Sequence, residues 1–186
     1  MKDMDGRVGL TCKQVYRRSD DIEEIKKLYD RSFPDNERIP FAWLLQALGD
    51  EQRMFAAYDG EELVGMYFLY LFKDLVYLSY ICVREDRRSR GYGSLLLKKI
   101  CFDLKGKKIV IDIEECRQED EDYLVELRRR NFYLRNGFEP TGIFYHIYDV
   151  DYELLCFGGP VRKEEWHRLI SHHWGKRADT AIYREG

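Results

Sequence analysis

The stretch Val83-Arg-Glu-Asp-Arg-Arg-Ser-Arg-Gly-Tyr-Gly-Ser94 decides how the chain is read. Before it runs Asp74-Leu-Val-Tyr-Leu-Ser-Tyr-Ile-Cys-Val83, an apolar, β-branched and aromatic segment that predicts a strand. After it, Ser94 to Leu104 carries apolar residues at helical spacing. A short basic loop with two glycines thus joins a strand to a helix start. Unpaired N–H groups at a helix N-terminus point outward, and the helix dipole favours negative charge there. Gly91 and Gly93 let the backbone approach a phosphate with no Cβ in the way.

Three anion-loop patterns compete for this stretch. The nucleotide-hydrolase loop G-x-x-x-x-G-K-[ST] is absent, and the dinucleotide pattern G-x-G-x-x-G fails because Leu96 stands at the third glycine. The pattern [QR]-x-x-G-x-[GA] is filled by Arg88-Ser89-Arg90-Gly91-Tyr92-Gly93. Downstream, Asn131-Phe-Tyr-Leu-Arg-Asn-Gly-Phe138 is similar to F-Y-x-x-x-G-F. With these two motifs, in this order, the chain resembles the GNAT acetyltransferase superfamily over residues 12–150.

The resemblance implies a co-substrate, acetyl-coenzyme A, and residues to hold it. Its pyrophosphate would lie on Arg88, Ser89, Arg90, Gly91, Tyr92, Gly93 and Ser94. Its pantetheine arm would hydrogen-bond the strand backbone at Ile81, Cys82 and Val83. Tyr133 falls where much of the family places a tyrosine near the thioester sulfur. A phenol is protonated at neutral pH, with a pKa of about 10, and can deliver a proton to a departing thiolate. The attacking amine must lose a proton, and Glu114 at the end of the strand around 107–113 is the candidate base. By alternation Asp112 and Glu114 share a face. Many enzymes of this kind use a water chain instead. One departure stands out: where family members carry N-x-x-A ahead of the F-Y motif, this chain has Glu126, followed by Arg129 and Arg130.

The rest of the chain fits an α/β (α+β) reading. The expected fold is GNAT-like: a mixed, mostly antiparallel sheet of six or seven strands, with a central parallel pair flanked by helices. Strands are predicted over 11–18, 53–58, 63–72, 75–83, 107–113, 143–150 and 152–157. Helices are predicted over about 20–33, 41–48, 94–104, 119–135 and 163–174, the first capped by Ser19 or Asp20. The strand–helix–strand run from 75 to 113 predicts a right-handed parallel crossover. Residues 33–44 are candidates for acceptor binding on the family resemblance. Asp35, Glu37, Glu114, Glu115, Asp149 and Asp151 suggest an acidic rim suited to a cationic amine.

Length and composition bound the function. The 186 residues, 45% hydrophobic and 35% charged, suit a single folded domain over 1–186. A net charge of −3 argues against a nucleic-acid partner, and no run approaches the ~20 apolar residues of a membrane span. The polar start lacks a signal-peptide core. The five cysteines include no C-x-x-C pair, so they read as reduced thiols in a cytoplasmic protein. No metal is expected, since adjacent His172 and His173 point about 100° apart on a helix. The function expected is transfer of the acetyl group of acetyl-CoA to a primary amine by direct attack on the thioester. The alternative is a non-catalytic acetyl-CoA-binding sensor or interaction module. Acceptor identity, acyl-chain preference and homodimer formation stay open at this point.

Overall fold

The computed structural model describes residues 9–35, 38–147 and 149–185. Thirteen regular elements follow one another: β1 (Leu10–Val15), α1 (Ile22–Ser32), α2 (Phe41–Ala47), β2 (Gln52–Asp59), β3 (Glu62–Phe72), β4 (Leu75–Val83), α3 (Tyr92–Asp103), β5 (Lys108–Glu114), α4 (Tyr123–Arg135), β6 (Glu139–Ile147), β7 (Val150–Phe157), α5 (Lys163–Trp174) and β8 (Ile182–Glu185). The strands form a mixed sheet in the order β1-β2-β3-β4-β5-β7-β6-β8. The sheet has eight strands among the described residues, not six or seven. The unforeseen strand is β8, whose Ile182 pairs with His146 and whose Tyr183 pairs with Tyr145 of β6. Four residues after a helix give too short an alternation to be read from sequence.

The chain divides into two compact units, Met1–Tyr70 with Leu78–Asp103, and Leu71–Tyr77 with Leu104–Gly186. In the first, β1, β2 and β3 form an antiparallel meander. Long buried runs such as Leu63–Tyr70 hold its core, with α1 adding Ile25, Leu28 and Tyr29. Gly65 marks a close approach: a Cβ there would meet the Cys82 carbonyl oxygen at 2.7 Å and the Leu96 side chain at 3.4 Å. The absence of a side chain lets β4 and α3 seat against β3.

In the second unit the start of β4 pairs in parallel with β5, Leu75 to Tyr77 against Lys108 to Val110. This is the predicted crossover. On its other edge β5 pairs antiparallel with β7, from Ile109↔Phe157 to Glu114↔Tyr152. Partners directly opposite share a face, so Ile111, Ile113, Glu153 and Leu155 point one way, and Val110, Asp112 and Glu114 the other. Trp166 of α5 packs edge-on to Tyr77 at 5.0 Å and against Tyr145 at 5.8 Å. Tyr77 and Tyr145 donate hydrogen bonds to Asp112 at 2.8 and 2.6 Å. Removal from water pushes the Asp112 carboxyl up, and the two phenol donors pull it back.

Several boundaries move. Asp21 stands at the N-cap position of α1, without a side-chain capping bond, while the Ser19 hydroxyl accepts from the Tyr16 N–H at 2.9 Å, so neither Ser19 nor Asp20 is the cap. α4 begins at Tyr123, which leaves Glu119 to Asp122 in the turn before it. β6 starts at Glu139, earlier than expected, because Pro140 sits beside a register shift where a missing N–H is tolerated.

Candidate active site

The basic loop opens differently from a plain strand-to-helix turn. After β4, Glu85–Arg87 form one turn of 3-10 helix, and α3 starts at Tyr92, two residues before its predicted start. Gly93 and Ser94 therefore sit in the first turn of the helix. Its first internal bond runs from the Leu95 N–H to the Gly91 carbonyl at 3.0 Å. The N–H groups of Tyr92, Gly93 and Ser94 precede that ladder, as in any helix start. Gly91 has φ +85, with open space where a Cβ would be. Ser89 adopts φ 60, which costs a side-chain-bearing residue ~1 kcal/mol.

The arginines of this region divide into two groups. Arg84 pairs with Glu62 and, through Nε at 2.6 Å, with Asp86; its N–H donates to the Val64 carbonyl at 2.8 Å. Arg87 also pairs with Glu62. The Arg87 and Arg84 guanidinium groups hold the Glu62 carboxyl below its usual range. These two cations fix the entry to the loop. Arg88 and Arg90 are exposed and enter no ion pair among the described residues; Arg88 Nε donates to the Val83 carbonyl at 3.2 Å. Tyr92 is buried and anchors the far end, its hydroxyl donating to Asp59 at 2.5 Å. Ile81 and Val83 are half-buried, and Cys82 between them is buried. Burial pushes the Cys82 thiol up to about 11, against the pull of Ser32, the Met66 backbone and Arg88.

Ahead of β2, the segment 33–44 is tied down by side chains. The Tyr29 hydroxyl donates to the Ile39 carbonyl at 2.9 Å, and the Ile39 N–H donates to the Tyr80 hydroxyl at 3.0 Å. Arg38 donates to the carbonyls of Asp30 and Phe33 at 2.7 and 2.9 Å and pairs with Asp35. Glu37 lies outside the described residues.

In the second unit, Tyr133 sits on the buried side of α4, edge-on to Phe138 at 5.7 Å. Gly137, at φ +87, turns the chain after Asn136 so that Phe138 folds back, its N–H donating to the Tyr133 carbonyl at 3.2 Å. Burial drives the Tyr133 phenol well above its ordinary pKa; Arg129 opposes this and Asp112 adds to it. Among the described residues no hydrogen bond engages its hydroxyl. The group is thus a protonated donor at neutral pH. Glu114 stands at the end of β5, 29% exposed, with Arg129 Nη1 at 3.4 Å. It is an ion-paired carboxylate. Arg129 lies one helical turn before Tyr133, and its charge acts on both.

Two features of α4 escaped the sequence reading. Arg130 makes a two-pronged pair with Glu153, Nε to Oε2 at 2.6 Å and Nη2 to Oε1 at 2.9 Å. Glu126, one turn earlier on the same side, is 9% exposed, and among the described residues its Oε2 has no hydrogen-bond partner. Burial raises its pKa first, then the charges of Glu114, Asp120 and Asp122, with Arg129 opposing. The departure from the N-x-x-A pattern was the available signal for Glu126.

The expected acidic rim is largely neutralised. Glu115 pairs with Arg117 at 2.9 Å and with Arg184, and Asp151 pairs with Arg117 at 2.7 Å. The thiols of Cys101 and Cys156 are pushed up by burial to about 11 and about 12, so neither is a ready nucleophile. Among the described residues no group of three or more His, Cys, Asp or Glu is arranged to hold a metal, and no helix is long and apolar enough to cross a membrane.

Residues 50–140 match the family model described as Acetyltransferase (GNAT) domain. The search among curated proteins found no match. Structures of similar fold include a GNAT-family protein from Bacteroides thetaiotaomicron, at 21% identity over 89% of this chain and 98% of that one, with a TM-score of 0.72. A GNAT acetyltransferase from Elizabethkingia anophelis with acetyl-CoA bound is 18% identical over 82% and 100%, with a TM-score of 0.57. The ribosomal-protein-S18-alanine N-acetyltransferase from Escherichia coli is 15% identical over 84% and 97%, with a TM-score of 0.61. At these identities the likeness carries the fold. Residues 50–140 are thus similar to a GNAT acetyltransferase domain, and the sheet with its parallel β4–β5 pair has the same fold as these structures.

Proposed function

We propose that the chain is a single catalytic domain over 1–186 that transfers the acetyl group of acetyl-CoA to a primary amine. The observation that carries this reading is the loop Arg88–Gly93, where a left-handed Gly91 and two arginines outside any described ion pair lead into the free N–H groups of α3. Such a start suits a diphosphate. The acetyl-CoA bound to the Elizabethkingia anophelis relative supports the choice of co-substrate. The backbone of Ile81, Cys82 and Val83 would receive the pantetheine arm. A neutral amine would attack the thioester carbonyl, and the sulfur would leave as thiolate and take the Tyr133 proton. Burial keeps the Tyr133 phenol protonated at neutral pH, while making it a weaker acid than an exposed tyrosine; what supports this part of the reading is its place at the F-Y motif with no described hydrogen bond on its hydroxyl.

Glu114 is the base in this scheme, relaying the amine proton directly or through water. Its pairing with Arg129 orients one carboxylate oxygen and leaves the other to accept. The five cysteines are free thiols, two of them buried, which favours a cytoplasmic setting.

Calorimetric titration of acetyl-CoA, on the wild type and on Gly91→Trp, tests the reading, followed by thiol release against a panel of amines. Tight binding lost in the variant, with turnover on at least one amine, is expected. Binding without turnover on any amine would favour a sensor, and no binding would overturn the loop assignment.

A further inference from the structure

A cavity of about 570 Å³ opens beside the loop, between α1 and the end of β4. Its volume falls within the ~300–1,000 Å³ of small-ligand sites. Lys27, Arg31 and Ser32 line it from α1, and Arg88 lines it from the loop. The Cys82 thiol feels both Ser32 and Arg88, so the end of α1 and the loop converge on that one residue. Lys27, Arg31 and Arg88 enter no ion pair among the described residues.

The acids of the wall do not cancel these cations. Asp86 is already held by Arg84, which leaves Glu24 and Glu85 against three cations. Arg31 lies in the last turn of α1, where a cation complements the helix dipole, but that role does not account for Lys27 a turn earlier. Guanidinium groups suit phosphate because their fork matches its oxygens in pairs. Arg88 belongs to both the loop and the cavity, so an anion here would be continuous with the ligand on the loop.

We propose that this cavity takes the 3′-phosphate of coenzyme A, a phosphate monoester clamped by Lys27, Arg31 and Arg88. The proposal rests on the co-substrate reading above, in which the loop itself takes the diphosphate. Lys27 and Arg31 are then affinity and selectivity residues for the nucleotide end, remote from the acyl group.

Binding of CoA and of dephospho-CoA, which lacks only this phosphate, is measured by calorimetry on the wild type and on Lys27→Ala/Arg31→Ala. Both side chains are exposed on a helix, and an unchanged melting temperature checks that the variant is folded. The wild type is expected to prefer CoA by about tenfold or more, as charge-assisted hydrogen bonds give. The variant is expected to bind CoA as weakly as the wild type binds dephospho-CoA, with dephospho-CoA itself unaffected. Equal wild-type affinity for the two ligands, a preference that survives in the variant, or an equal loss for both ligands would each overturn the proposal. Dephospho-CoA also separates the two readings: if it binds and no preference exists, only the cavity assignment falls, whereas if neither ligand binds, the co-substrate reading falls with it. A variant that keeps its CoA preference but needs more of a phosphorylated amine for half-maximal rate would assign the cavity to the acceptor and overturn the proposal.

Discussion

The loop before α3 and the inner face of α4 are built on opposite principles. The loop is exposed and shaped by its backbone: Gly91 in a left-handed turn, Ser89 strained beside it, and N–H groups at a helix start. Its cations are side chains held at one end only. The α4 face is buried and built from side chains: Tyr133 among aromatics, Arg130 locked to Glu153, and Glu126 with an oxygen unpartnered among the described residues. An exposed backbone site tolerates exchange of most of its side chains, because water screens them and the dipoles stay. A buried side-chain site does not, because each polar group removed leaves its partner unsatisfied in a medium that cannot replace it.

The sharpest way to break this contrast is Tyr133→Phe. If Tyr133 supplies the proton, turnover falls about a thousandfold, while calorimetry gives an unchanged acetyl-CoA affinity. Gly91→Trp should do the reverse and abolish binding. A Tyr133→Phe variant that loses affinity but keeps its rate would move the tyrosine from chemistry to packing.

Arg130→Ala comes next. It strands the Glu153 side chain, 5% exposed, without its two-pronged partner, and should cost about 3 kcal/mol in denaturant unfolding. A loss below a few tenths would mean that water reaches Glu153 and that the face is wetter than its burial implies. Gly65→Ala probes the first unit instead. A methyl group 2.7 Å from the Cys82 carbonyl must push β4 or β3 aside, and a loss of ~1–3 kcal/mol is expected. An undiminished melting temperature would count against the close approach.

The smallest effect has the opposite sign. Burial, reinforced by neighbouring acids, raises the Glu126 pKa in the folded chain, so folding favours its neutral form. That contribution is present below the ordinary carboxylate pKa and is lost as pH rises through the raised value. At neutral pH the wild type therefore carries a penalty that Glu126→Gln removes. The variant should be more stable by about 1 kcal/mol at neutral pH, with the gain fading toward pH ~4. Equal gains at both pH values would mean that packing, not charge, sets the difference.

How much of this was legible beforehand follows from the same contrast. Arg88-Ser-Arg-Gly-Tyr-Gly93 could be read because a positive φ and a bare helix start imprint themselves on residue type. The Asn136-Gly137 stop was readable for the same reason, and so were the β2–β3 turn at Asp59-Gly60 and the parallel crossover. Ser89 in the left-handed region was not, because its neighbours impose that conformation. Nor did the acidic rim survive as a free surface: Glu115 meets Arg184 and Asp151 meets Arg117, each far away in sequence, and Glu114 meets Arg129 across the turn from β5 to α4.

The sequence by itself determined the order of elements, the glycine–arginine loop before α3 and the position of a tyrosine at the F-Y motif. Local conformational preference and hydrophobic period act over a few residues and need no partner. Only the tertiary structure decided which of four neighbouring arginines are committed, that Arg130 serves Glu153, that Glu126 is buried with one oxygen unpartnered among the described residues, and that α1 brings Lys27 and Arg31 to the loop. Each of those depends on what stands across from a side chain. Burial and pairing are set by segments tens of residues apart, and no local pattern records them.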